Sequence, residues 1–107
     1  MNIIRQGDVA LVRVKAIPVD TVEQSPTDNK VILALGEATG HHHRFEFMDK
    51  TYNVRLYIAH DGARYLDVST PANLLHEEHS TARVPKGKWL LPQQVEYTPA
   101  ELRRVQD

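Results

Sequence analysis

The chain has 107 residues, a formal net charge of −1 with acidic and basic side chains mixed along it, and no cysteine. That length admits one domain with one thin core, burying roughly two-thirds of the surface the unfolded chain exposes. Without cysteine there are no disulfides, thiolate zinc sites or cysteine nucleophile, so histidine and carboxylate are the strong metal ligands left, and without a basic patch duplex DNA is a poor partner.

In chain order the elements are mainly β, and residues 1–107 are expected to form a small single-domain barrel or sandwich built from hairpins, with a short C-terminal helix. Gly7 to Val14 alternates, with Val9, Leu11 and Arg13 on one face and Ala10, Val12 and Val14 on the other, which predicts the first strand. Ile17 to Asn29 carries Pro18, Asp20, Ser25, Pro26 and Asp28, turn and loop chemistry with little to bury. Val31 to Leu35 is a short apolar run ended by Gly36, read as a strand. A loop framed by Gly36 and Gly40 leads into His41-His42-His43-Arg44-Phe45-Glu46-Phe47. Asn53 to Val68 alternates on both sides of Asp61-Gly62 and predicts a hairpin, with His60 a residue of its turn.

Ser69-Thr70-Pro71 fits either the cap of a short helix running to His79 or, preferably, a loop or single turn leading to another strand. Thr81 to Val84 and Trp89 to Tyr97 flank Pro85-Lys86-Gly87-Lys88, which predicts a second hairpin. Thr98-Pro99-Ala100-Glu101 has the form of a capping box, and Leu102 and Val105 three apart continue it as the terminal helix. No signal-like segment and no bilayer-length apolar run occurs, so a cytoplasmic chain without membrane contact is expected.

Five of the six histidines fall in two groups. If residues 41–47 are a strand, His41, His43, Phe45 and Phe47 share one face, and apolar neighbours that exclude water favour metal ligation there; His42, Arg44 and Glu46 take the other face. His76 and His79 share a face if their backbone is helical and oppose each other if it is extended. The candidate ligands are therefore His41, His43, His76 and His79 with Glu46, for a divalent transition metal: zinc, iron, nickel or manganese. Glu77 and Glu78 are candidate general bases for a metal-bound water acting on a small-molecule ligand. The alternative is a non-enzymatic module whose histidine patch meets a protein partner or senses pH near neutrality. An edge strand would also allow a homodimer.

Other chemistries fail on spacing. Ser80 stands where H-E-x-x-H needs its second histidine, Leu75 stands where the inverted motif needs its first, and no nucleophile elbow, P-loop or dinucleotide fingerprint occurs. Trp89, Tyr57, Tyr65 and Tyr97 have few cationic residues among them and fit a core better than a stacking platform for single-stranded nucleic acid.

Gly40-His41-His42-His43 with Glu46 three residues on, followed by Pro85-Lys86-Gly87, resembles the cupin pattern of a glycine, H-x-H, a nearby glutamate and a downstream P-x-G. The resemblance implies a small β-barrel holding a metal through histidines and that glutamate. The cupin glutamate normally lies further along, and its last histidine follows the P-x-G, where this chain has Trp89 and Leu90; His76 and His79 precede that turn instead. Met1 to Val14 followed by Val31 to Gly36 is similar to the opening strands of small GroES-like co-chaperonin barrels. Ala38-Thr39-Gly40-His41-His42-His43 followed by His76-Glu77-Glu78-His79 resembles uncharacterised small bacterial and phage proteins, a likeness that carries no activity.

Overall fold

Alternation of buried and exposed residues builds most of the strands of this computed structural model, which describes residues 2–35, 41–48, 50–92, 95–97 and 102–104. Ile3–Gln6 (β1), Val9–Val14 (β2), Thr21–Gln24 (β3), Val54–Ala59 (β6), Arg64–Val68 (β7) and Gly87–Leu91 (β10) form one antiparallel sheet in the order β1-β2-β10-β7-β6-β3. Lys30–Leu35 (β4) pairs with His42–Glu46 (β5), and Ala72–Leu74 (β8) pairs with Ala82–Val84 (β9). These two hairpins meet where Arg44 and Leu75 exchange backbone hydrogen bonds, at 3.0 Å and 2.8 Å.

The core lies between the sheet and the paired hairpins. Val9, Leu11, Val54, Leu66, Val68, Trp89 and Leu91 from the sheet pack with Val31, Leu33, Phe45, Phe47, Leu74 and Val84 from the hairpins. Two-residue periodicity puts each set on one face of its strands, and burial of that face drives assembly. Trp89 is fully buried and donates its indole N–H to the carbonyl of Pro85 at 3.2 Å. It belongs to the core, as the sequence suggests.

The fold is mainly β, as expected, and among the described residues there is no helix. The hairpin around Asp61-Gly62 forms as expected, and its register runs from Val54 opposite Val68 to Ile58 opposite Arg64. Several expectations need correction. No ladder joins β9 to β1 or β3 to β4 among the described strands, so the sheets do not close into a barrel. A further strand, β1, precedes the expected first one and makes a hairpin with β2 through Gly7 and Asp8. The stretch from Ile17 to Asn29 is not all loop, because β3 pairs with β6 along the sheet edge.

The second expected hairpin does not form. The chain bends at Lys86, but β9 stays with β8 while β10 inserts between β2 and β7. The chain changes layers at Gly87, whose φ of +149° suits glycine and whose missing Cβ leaves room for the Arg13 guanidinium. That guanidinium stacks over Trp89 at 4.4 Å. Of the C-terminal helix, the cap residues 98–101 and residues 105–107 lie outside the described residues. Leu102–Arg104 (β12) is extended rather than helical, its backbone groups satisfied by antiparallel pairing with Val95–Tyr97 (β11).

Candidate functional site

The backbone bridge between Arg44 and Leu75 decides the site, because it sets the residue after Leu75 beside the start of β5. His43 is on the inner face of β5, in line with Phe45, and is 1% exposed. Beyond Leu75 the chain is neither helix nor strand. The Nδ1 atom of His76 accepts hydrogen bonds from the backbone N–H groups of Glu78, at 3.0 Å, and His79, at 3.3 Å. This side-chain-closed turn brings His76 and His79 to one side, with ring centroids 4.6 Å apart.

The two histidine groups converge. The His43 ring lies tilted at 4.4 Å from that of His76 and stacked at 5.8 Å from that of His79, and His41 meets His76 edge-on at 6.0 Å. His42 is on the opposite side of the strand, where its backbone N–H donates to Glu77, and exposed His60 sits at the end of the β6–β7 hairpin.

A third segment, the β1–β2 turn, holds this cluster in place. Both amide hydrogens of buried Gln6 are committed, one to the carbonyl of Leu74 at 2.7 Å and one to that of Ser80 at 2.9 Å. Its Oε1 must therefore accept, and the Nδ1–H of His43 donates to it at 2.9 Å. The neutral His43 ring thus carries its lone pair on Nε2, which lies 3.4 Å from Oδ1 of Asp8. Burial pushes the His43 pKa below its usual value and the neighbouring His76 pushes it lower, with Asp8 opposing them, so the ring is mostly neutral at pH 7. Gly7, at φ +60°, lies against the face of His79: a Cβ there would be 2.5 Å from its Nε2.

His41 presents the opposite situation. Its Nδ1 is buried without a hydrogen-bond partner among the described residues, and Oε1 of Glu78 stands 3.5 Å away in a loose ion-pair contact. Buried polar atoms are nearly always satisfied, which makes this nitrogen conspicuous.

The carboxylates divide between two sides. Glu46 projects from the outer face of β5 and accepts a hydrogen bond from Nε of Arg44 at 2.7 Å, so its recorded partner is a guanidinium rather than an imidazole. Glu77 pairs with the same guanidinium at 2.9 Å and accepts the backbone N–H of His42 at 3.0 Å. That backbone bond holds the Glu77 carboxyl below the usual carboxylate range, so it is a weak base. Glu78 and Asp8 face the histidines.

A family profile described as a domain of unknown function, DUF8820, matches residues 5–94, which include every side chain of the cluster. The chain belongs to the DUF8820 family. No curated protein and no solved structure matches it. Among the described residues of this DUF8820 domain no three His, Cys, Asp or Glu side chains are already disposed to hold a metal ion. The ring positions converge while the nitrogens do not, since Nδ1 of His76 is turned to its own backbone and Nδ1 of His43 to Gln6. No helix among the described residues is long and apolar enough to cross a membrane.

Sequence reasoning found four of the imidazoles and missed Gln6, Gly7 and Asp8. The available signal was Gly7-Asp8 as a tight turn after Ile3-Ile4, which marks a hairpin ahead of the first alternating run. Nothing in the sequence marks Gln6 as buried.

Proposed function

We propose that this DUF8820 domain binds one divalent transition metal through His41, His43, His76 and His79. The observation that carries the reading is a buried histidine with its Nδ1–H anchored on the Gln6 carbonyl, which leaves Nε2 as its ligating atom, 3.4 Å from Oδ1 of Asp8. Ligand histidines are oriented in this way, by donating the second ring nitrogen to an acceptor that fixes the tautomer. Two further facts support it. A metal with imidazole nitrogens at about 2.1 Å holds ring centroids roughly 5 Å apart, and the four measured separations run from 4.4 to 6.0 Å. The unpartnered Nδ1 of His41 gains a partner.

His43 needs no rearrangement to ligate through Nε2. His76 must give up its two turn hydrogen bonds, either to put Nδ1 on the metal or to carry its ring proton on Nδ1 and ligate through Nε2, so binding is coupled to a small local refolding. A set of neutral imidazoles suits zinc, iron, nickel or manganese. His79 is exposed, so on its side a water or small ligand completes the coordination. Of the two candidate bases Glu78 faces that side, while Glu77 is held by Arg44. Glu46 is not part of the proposed ligand set, and the cupin likeness is not needed for it.

The test is elemental analysis of protein purified without a histidine tag or nickel column, compared with His79→Ala and with His41→Ala/His43→Ala. Stoichiometric metal that is lost in both variants supports the reading. Equal metal content in all three overturns it and leaves the second reading, a metal-free histidine surface, which the inward-turned nitrogens favour.

A further inference from the structure

The β1–β2 turn offers the cluster an oxygen donor. Gln6 occupies Nδ1 of His43, so Nε2 is the ring atom that faces Oδ1 of Asp8, across 3.4 Å. That separation is longer than a charge-assisted hydrogen bond of about 2.7–2.9 Å. In a tetrahedral site with metal–nitrogen and metal–oxygen bonds of about 2.1 Å, by contrast, neighbouring ligand atoms lie about 3.4 Å apart. The observed separation is one edge of such a tetrahedron.

The turn is also shaped for close approach. Gly7 lets the backbone lie against the His79 ring, where any Cβ would collide with Nε2, and the left-handed φ at Gly7 precedes Asp8 directly. Asp8 is 75% exposed at its side chain, so the carboxylate enters from the solvent side.

We propose that Asp8 is an oxygen ligand of the metal bound at the histidine cluster, sharing it with Nε2 of His43. This rests on the metal-binding reading above and extends the site to a carboxylate from a third segment of the chain. The resulting mixed nitrogen and oxygen donor set favours zinc, iron(II) or manganese over a soft ion such as copper(I).

The experiment titrates cobalt(II) into the metal-free full chain and records both affinity and visible ligand-field bands, for the natural sequence, Asp8→Asn, Glu46→Gln and His43→Ala. The expected result is an affinity loss of roughly tenfold or more in Asp8→Asn, together with shifted bands, while Glu46→Gln, on the outer face of β5, keeps the bands of the natural sequence. Bands and affinity unchanged in Asp8→Asn, with binding lost in His43→Ala, overturn the role of Asp8 and leave the histidine site standing. Weaker binding with unmoved bands also overturns ligation, because it shows a through-space charge effect only. If the natural sequence takes up no cobalt, both this proposal and the reading beneath it fall. Far-UV circular dichroism of Asp8→Asn is expected to match the natural sequence, since the side chain is exposed.

Discussion

Replacing Gln6 with leucine removes three hydrogen bonds while keeping the volume of the side chain nearly constant. The structure says what is left behind. The carbonyl of Leu74 loses a buried bond of 2.7 Å, the Nδ1–H of His43 loses a buried bond of 2.9 Å, and the carbonyl of Ser80 loses a part-buried bond of 2.9 Å. An unsatisfied buried polar group costs about 1–3 kcal/mol. Water reaches Ser80, which is exposed, so two groups stay orphaned and the expected loss is about 2–6 kcal/mol. Against a total stability of about 5–15 kcal/mol, that is a large fraction. Urea unfolding of metal-free protein measures it, provided the slope is the same in both proteins, so that a shift of midpoint reports stability alone. A loss below about 1 kcal/mol, the worth of an ordinary exposed contact, would refute the idea that Gln6 ties β1 to both hairpins.

Gly7→Ala forces a side chain into the left-handed region and against His79, so about 1 kcal/mol of stability is expected to be lost and the His79 ring signals should move in NMR spectra; unmoved signals would contradict the packing. For pH, the His43 pKa is lowered in the folded state, so below about 6.5 the unfolded chain takes a proton that the folded one resists. Stability of the metal-free protein is therefore complete above that value and falls as the pH drops through it, and urea midpoints for His43→Asn should show a flatter profile. Glu46→Gln should leave metal content unchanged and cost less than about 1 kcal/mol, because its partner is Arg44 in a partly exposed pair; loss of metal would return Glu46 to the ligand set. Phe45→Ala, which opens the core directly behind His43, should cost about 3–5 kcal/mol in thermal or urea unfolding.

The strands that bury one face were legible in the sequence, because burial writes itself as alternation. Val9 and Leu11, Val54 and Leu56, and Phe45 and Phe47 all point inward as their spacing implies. β3 was not legible for the same reason: Val22 and Glu23 are exposed, and the strand is held to β6 by backbone pairing, which leaves no mark on side-chain type. The Pro85 to Gly87 turn has hairpin chemistry, but local chemistry cannot say which neighbours a strand finds after the turn, and β10 finds β2 and β7.

The site divides similarly. His41, His43, His76 and His79 stand out as residue types, and sequence could name them without placing them. Their meeting depends on one long-range backbone bridge between Arg44 and Leu75. His76 and His79 share a side through neither helix nor strand but through a third conformation, a turn closed by the His76 ring itself. Gln6 stayed hidden because a single polar residue ahead of an apolar run looks like a solvated strand end, and only the fold reveals its three partners.

Metal binding by this domain requires imidazoles from two distant segments to share one ion. Its most direct test is the unfolding temperature of tag-free, chelator-stripped protein titrated with zinc, nickel, iron(II) and manganese(II). A ligand of the native state at a hundredfold excess over its dissociation constant adds about 2.7 kcal/mol, so at least one of these metals should raise the unfolding temperature in a concentration-dependent way, and His79→Ala should weaken that rise. No rise with any of the four, or an identical rise in His79→Ala, would contradict the claim.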